Sequence, residues 1–175
     1  TLVTTSSLCK HVTAIAGVNA SFFDMKNGGS VDYMKVNGKV VHQGREALGN
    51  SNSAIIINGK KVSIVRLNNG NIEARSLNGS NLLVAGPRRV RSSAIEDLPE
   101  TSFNITRHPR TCAARTKKGT ILLITVDGRH KDSAAGMSTK ELAYLLKILG
   151  ARDAIKFDGG GSTAMYIKGH GENGI

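Results

Sequence analysis

Two apolar runs in the second half of this chain finish in the same way, and one helical pattern lies between them. Ile121–Val126 leads into Val-Asp-Gly-Arg, with Asp127 and Arg129, and residues 154–157 lead into Phe-Asp-Gly-Gly-Gly-Ser, with Asp158. Between them Ser138 is followed three residues later by Glu141, the capping-box arrangement, and Leu142, Leu145, Leu146 and Leu149 form one apolar stripe that Gly150 ends. Strand, helix (about 138–149) and strand make a β-α-β crossover, which requires the two strands to run parallel. Each then delivers an aspartate at its carboxyl end, where α/β sheets place their ligands. Asp127 and Asp158 are therefore expected at one mouth.

A third segment joins them. Residues 111–116 and 120–126 flank Lys117-Lys118-Gly119 as a hairpin, and counting back from the turn sets Arg110 opposite Val126. That brings His108 and Arg110 beside Asp127, so a guanidinium, two carboxylates and an imidazole converge on one rim, as a catalyst for an anionic substrate requires. Taken singly, an Asp-Gly after a strand is an ordinary turn and Arg110 an ordinary surface ion pair. The run Asp158, Gly159, Gly160, Gly161, Ser162, Thr163 is harder to reduce to a turn, because successive glycines are entropically costly and permit close backbone approach to a ligand. It lacks the spaced glycines of a dinucleotide fingerprint and the Gly-Lys-Ser/Thr of a P-loop, so nucleotide binding is not indicated. Its amides and hydroxyls suit phosphate or carbohydrate oxygens.

The first half reads as short strands joined by Asn-Gly turns, clearest at Asn37-Gly38 and Asn58-Gly59 and continued at Asn69-Gly70 and Asn78-Gly79. Residues 86–109, rich in charge and holding all three prolines, read as a surface loop. The expected class is α+β: mixed β-sheets, a hairpin-rich first half, few helices and one β-α-β crossover. At 175 residues the chain is expected to form one domain. No apolar run is long enough to span a membrane as a helix, and the first residues do not combine a basic region, an apolar stretch and a cleavage site. The formal charge of +11 attracts anions of many kinds. Nucleic acid is not the expected partner, because no nucleic-acid motif is present and Trp, a preferred stacking residue, is absent. Cys9 and Cys112 have no metal-ligand spacing, and whether they pair stays open. No metal and no cofactor is expected.

The segments GVNASFFD, RHPRTCAART, TVDGR and GMSTKELAYLLKILGARDAIKFDGGGSTAMYIKG resemble, in order, the characteristic blocks of the phosphodiester glycosidase family. The resemblance implies hydrolysis of a sugar-1-phosphodiester, commonly of N-acetylglucosamine, and an extracytoplasmic setting. Residue by residue it implies a pocket of Asn19, Phe23 and Asp24, then His108, Arg110 and Thr111, then Asp127 and Arg129, then Asp158 through Thr163. Of these, Asp158, Asp127, Arg110 and His108 are the expected catalytic set, with Arg110 the favoured partner of the leaving phosphate. Ala20 and Ser21 replace glycines of the pattern, and family chains usually carry a further Arg-containing segment beyond these blocks. A non-catalytic module binding anionic glycans or cell-wall polymers is the rival expectation. Oligomeric state is not legible.

Overall fold

The computed structural model describes residues 2–45, 51–96 and 101–171. A short helix, α1 (Thr5–His11), is capped by the Thr4 hydroxyl, which accepts from the Ser7 amide, and β1 (Ala16–Val18) follows. Two hairpins come next: β2 (Met34–Val36) with β3 (Lys39–His42), and β4 (Ser53–Asn58) with β5 (Lys61–Arg66). The first turns at Asn37-Gly38, both at positive φ (49° and 77°), the conformation for which Asn-Gly is suited. The second pairs Asn58 with Lys61, so its loop residues are Gly59 and Lys60, one position later than the dipeptide suggests. The other two Asn-Gly pairs are not hairpin turns. Asn69 precedes α2 (Gly70–Ala74), and Gly79 lies before β6 (Asn81–Ala85), where a Cβ would stand 2.5 Å from Ile56.

Residues 86–109 correct the expectation of a loop. They hold β7 (Arg88–Arg91), β8 (Ala94–Ile95) and α3 (Ser102–Ile105); residues 97–100 of the stretch lie outside the described residues. β7 is interior, with Arg89 and Val90 both fully buried. The sequence hides this strand because three of its four residues are arginines and its turn, Ser92-Ser93, takes positive φ without Asn or Gly. Arg88 is neutralised only by folding, when Nη2 meets Glu96 Oε1 at 2.7 Å.

The remaining elements are β9 (Arg110–Thr116), β10 (Ile121–Val126), α4 (Thr139–Ile148), β11 (Ala151–Lys156) and β12 (Met165–Ile167). One five-stranded sheet has the order β3-β2-β6-β4-β5, a second β10-β9-β11-β7-β8, and β1 pairs with β12 in a ribbon. The β9–β10 register sets Arg110 opposite Val126, and β9 is antiparallel to both β10 and β11. The strands flanking α4 are thus parallel, with β9 inserted between them. α4 carries the full capping box of Ser138 and Glu141, and buries Leu142, Ala143 and Leu146; Leu149, expected on the stripe, is 45% exposed.

Three cores stack these layers. Ala54, Val84, Leu82 and Ala74 join the first sheet to α2; Ile64, Ala85, Ala113, Ile155 and Phe157 lie between the two sheets; Cys112, Ala114, Ala154, Leu142 and Leu146 join the second sheet to α4. One polar cluster is buried in the first region. Asp32 accepts from Ser51 Oγ at 2.6 Å and from Asn71 Nδ2 at 3.2 Å, while Asn71 Oδ1 accepts from the Tyr33 amide and Nδ2 also donates to the Arg45 carbonyl. Cys9 and Cys112 are both free and buried.

Candidate active site

The rim is the edge where β9 begins and β10 and β11 end. Asn19 fastens it. Its Nδ2 donates to the Asp158 carbonyl at 2.8 Å, and its Oδ1 accepts from the Thr111 hydroxyl at 2.6 Å and from the Ala164 amide at 3.1 Å. The Asp158 amide donates to the Ala20 carbonyl and the Phe157 amide to the Thr111 carbonyl, both at 2.8 Å. Asp158 is therefore held on both sides by backbone, and its Oδ1 accepts from the Gly159 amide at 2.9 Å.

The three glycines serve three purposes. A Cβ at Gly159 would stand 2.7 Å from the Pro109 carbonyl oxygen, so this position permits close packing on His108-Pro109. Gly128 and Gly136 press on the same segment, with built Cβ atoms 2.9 Å from Pro109 N and 2.7 Å from the His108 carbonyl. Gly160 sits at φ 60°, its built Cβ 3.1 Å from Arg129 Nη2, and Gly161 faces open space. Three amides of this loop are already engaged within the protein. Gly160 N–H donates to Pro109 O, Ser162 N–H to Gly159 O and Thr163 N–H to Gly160 O. The loop instead offers the open Gly161 surface with half-buried Ser162 and Thr163 beside it; the Thr163 hydroxyl is buried with no hydrogen-bond partner among the described residues.

Arg129 adopts φ 66°, and its Nη2 lies 3.4 Å from His108 Nδ1 over Gly160. Burial, then Arg110, Arg129 and Lys156, push the His108 pKa down, so the ring is neutral at neutral pH. With Nδ1 turned to a guanidinium, which can only donate, the ring proton belongs on Nε2. Asp127 is at the same edge, but its side chain is 75% exposed; Oδ1 accepts from the Gly128 amide and stands 3.7 Å from His130 Nε2.

Arg110 is placed differently from a substrate-facing residue. It is 1% exposed, with Nε donating to Met137 O at 2.8 Å and Nη2 to Thr106 O at 2.9 Å, so it binds the loops around α4. Register identifies the neighbours of a strand residue; it does not say where a long side chain ends. Asp24 is likewise engaged in its own turn, accepting from the amides of Lys26 and Asn27 and from Arg45, contacts that lower its pKa. Phe23 bridges to Ser30 in the same loop.

Sequence reading passed over two residues here. Lys156 is 1% exposed, donates to the Phe157 carbonyl at 2.8 Å and lies 5.2 Å from the Phe22 ring centroid, just behind Asp158. Arg89 is fully buried near it. For Lys156 a signal existed: it alternates with Ala154 on a strand whose interior the apolar residues define. For Arg89 there was none. Among the described residues no group of three His, Cys, Asp or Glu side chains could hold a metal, and no helix is long and apolar enough to cross a membrane.

A profile of the phosphodiester glycosidase family matches residues 12–174. The chain is 25% identical to the SPbeta prophage-derived uncharacterized protein YomE of Bacillus subtilis, over 98% of this chain and 27% of that protein. It is similar in structure to the catalytic domain of zebrafish N-acetylglucosamine-1-phosphodiester alpha-N-acetylglucosaminidase, auto-inhibited by its pro-peptide, with a TM-score of 0.69, 22% identity and coverage of 91% of this chain and 54% of that one. A Burkholderia pseudomallei protein described as exported gives a TM-score of 0.65 at 16% identity, over 95% of this chain and 64% of that one. At such identities the likeness is one of fold. The chain spans about a quarter of the curated relative and about half of the zebrafish domain.

Proposed function

This chain belongs to the phosphodiester glycosidase family, and on that premise we propose that it hydrolyses a glycosyl-1-phosphodiester at the glycosidic bond, releasing N-acetylglucosamine or a related sugar from a phosphate that keeps its other ester. The observation that carries this reading is an immobilised carboxylate, Asp158, on the same short loop as the Gly160 that supports the exposed Arg129 guanidinium, with open space at Gly161.

The division of labour follows from charge. A phosphodiester departs as a stable anion, so the leaving group needs neutralisation more than a strong acid, and a planar guanidinium supplies it. Arg129 takes that role, because Arg110 is engaged with backbone carbonyls and acts by positioning the His108 segment. Neutral His108, with its proton on Nε2, donates a hydrogen bond to the departing oxygen. Asp158 stabilises the oxocarbenium-like centre. Asp127 lies two strands away across β9 and is assigned as the base that activates a water. Asn19 and Thr111 hold the loop, Phe23 and Asp24 border the sugar, and Ser162 and Thr163 offer it hydroxyls.

The exported neighbour supports an extracytoplasmic setting. The test is sugar release from a panel of sugar-1-phosphodiesters, with binding measured alongside, for the wild type, Asp158→Asn and Arg129→Ala. Turnover should fall about 10³-fold in Asp158→Asn with binding retained, and Arg129→Ala should lose most with the poorest leaving groups. Wild-type binding without turnover would favour a glycan-binding module instead.

A further inference from the structure

The helix-facing side of the second sheet buries three cations in one patch. Arg110 and Cys112 alternate on β9, Lys156 is the cross-strand partner of Cys112 on β11, and Arg89 enters from β7 where the register shifts between Ala154 and Ile155. Arg89, Arg110 and Lys156 are 0%, 1% and 1% exposed. Arg110 and Lys156 both donate to backbone carbonyls. Arg89 does not: Nε, Nη1 and Nη2 are all buried, and none has a hydrogen-bond partner among the described residues.

Among the described residues no acceptor is hydrogen-bonded to this guanidinium, and the one carboxylate that favours its charge, Glu96, is already paired with Arg88. Both carboxylate oxygens of Glu96 accept from Arg88. Asp158 Oδ1 already accepts from Gly159. Burial pushes the Cys112 thiol up to about 12, so it is no thiolate. Burial and Arg110 lower Arg89 itself only to about 10, which leaves it charged at neutral pH. An unpaired ion out of water is strongly unfavourable, and a guanidinium offers five donors and no acceptor, so it calls for acceptors, of which an anion also answers the charge. The flanking side chains on this face, Cys112 and Ala154, are small.

We propose that Arg89 is the principal ligand of a buried site for a small inorganic anion of the halide class, with Arg110 and Lys156 supplying the surrounding positive field. Because the three cations are at most 1% exposed, the ligand proposed is a monatomic ion and not a phosphate ester. The site needs no assumption about turnover.

The test compares thermal unfolding of the wild type in sodium chloride and in sodium gluconate at fixed ionic strength, with anomalous diffraction from a bromide-soaked crystal. Wild-type Tm should rise saturably with chloride, by about 5–10 °C once chloride exceeds its Kd a hundredfold. Bromide should give an anomalous peak against the Arg89 guanidinium. Arg89→Met should show no chloride response and melt in gluconate no lower than the wild type, since it removes an unpaired charge. Equal wild-type Tm in both salts, an equal chloride response in Arg89→Met, or a crystal without bromide at Arg89 would each overturn the proposal. Should Arg89→Met fail to fold, the wild-type salt comparison and the bromide map decide it.

Discussion

The two five-stranded sheets bury polar groups in opposite ways. In the first region Asp32, Ser51 and Asn71 form a closed network, every carboxylate oxygen accepting a donor and the amide bonded at both ends. In the second, Arg89, Arg110 and Lys156 share one face and Arg89 is left without a partner among the described residues. A satisfied network specifies one packing, whereas a buried group left unsatisfied calls for an explanation of its own. The aspartates differ in the same sense. Asp32 is sealed at 5% exposure, while Asp158 is held only through its backbone and one loop amide, leaving its carboxylate at the rim.

The sharpest way to break this contrast is to damage the closed network. Asn71→Ala removes the partner of the buried Asp32 oxygen and of the Tyr33 amide, and should destabilise the protein by about 3 kcal/mol in chemical denaturation. Its kcat on any working substrate should stay near wild type, because no rim residue touches Asn71; a large loss of kcat would erase the distinction. Next comes Gly159→Ala, whose methyl would stand 2.7 Å from the Pro109 oxygen. Displacing the loop from His108-Pro109 should lower kcat/KM about 100-fold, with a smaller effect on Tm. Equal activity would place the chemistry away from this loop.

The smallest effect is a pair of opposed pH slopes. Burial raises the Asp32 pKa, so the folded state binds its proton more tightly and this group's contribution to stability declines as pH rises above its unfolded value of 3.8. Glu141 is held down to about 2 by the Arg107 side chain and by the Ser138 amide of the α4 cap, so its contribution is present above 4.5 and lost as pH falls toward 2. Tm followed from pH 2 to 7 should lose its acid limb partly in Glu141→Gln and flatten above pH 4 in Asp32→Asn. If either substitution altered the other limb, the two regions would not be energetically separate.

These regions were also unequally legible. The hairpins of the first sheet follow from local turn chemistry, although Asn69 and Asn78 show that an Asn-Gly pair serves a helix start or a close approach as readily as a hairpin. The capping box of α4 and the parallel relation of its flanking strands could be read for the same reason: periodicity and caps are local. β7 could not, because what neutralises Arg88 and buries Arg89 is the fold itself. At the rim, Asp158 and Arg129 stood out as loop residues, while the inward course of Arg110 depended on carbonyls at Thr106 and Met137 that no spacing reveals.

The order of strands has a consequence for the chain as it is made. β11 is the central strand of the second sheet and the last of its five to leave the ribosome, so β7-β8 and β9-β10 must wait as two separate hairpins, each with a bare inner edge. Bare edges invite pairing between molecules, and charged residues on them discourage it. Arg88, Arg89, Arg91, Arg110 and Arg115 lie along those two waiting edges. Three of these arginines, Arg88, Arg89 and Arg110, are buried in the finished protein, and before β11 covers them they add charge to edges that would otherwise be open to pairing.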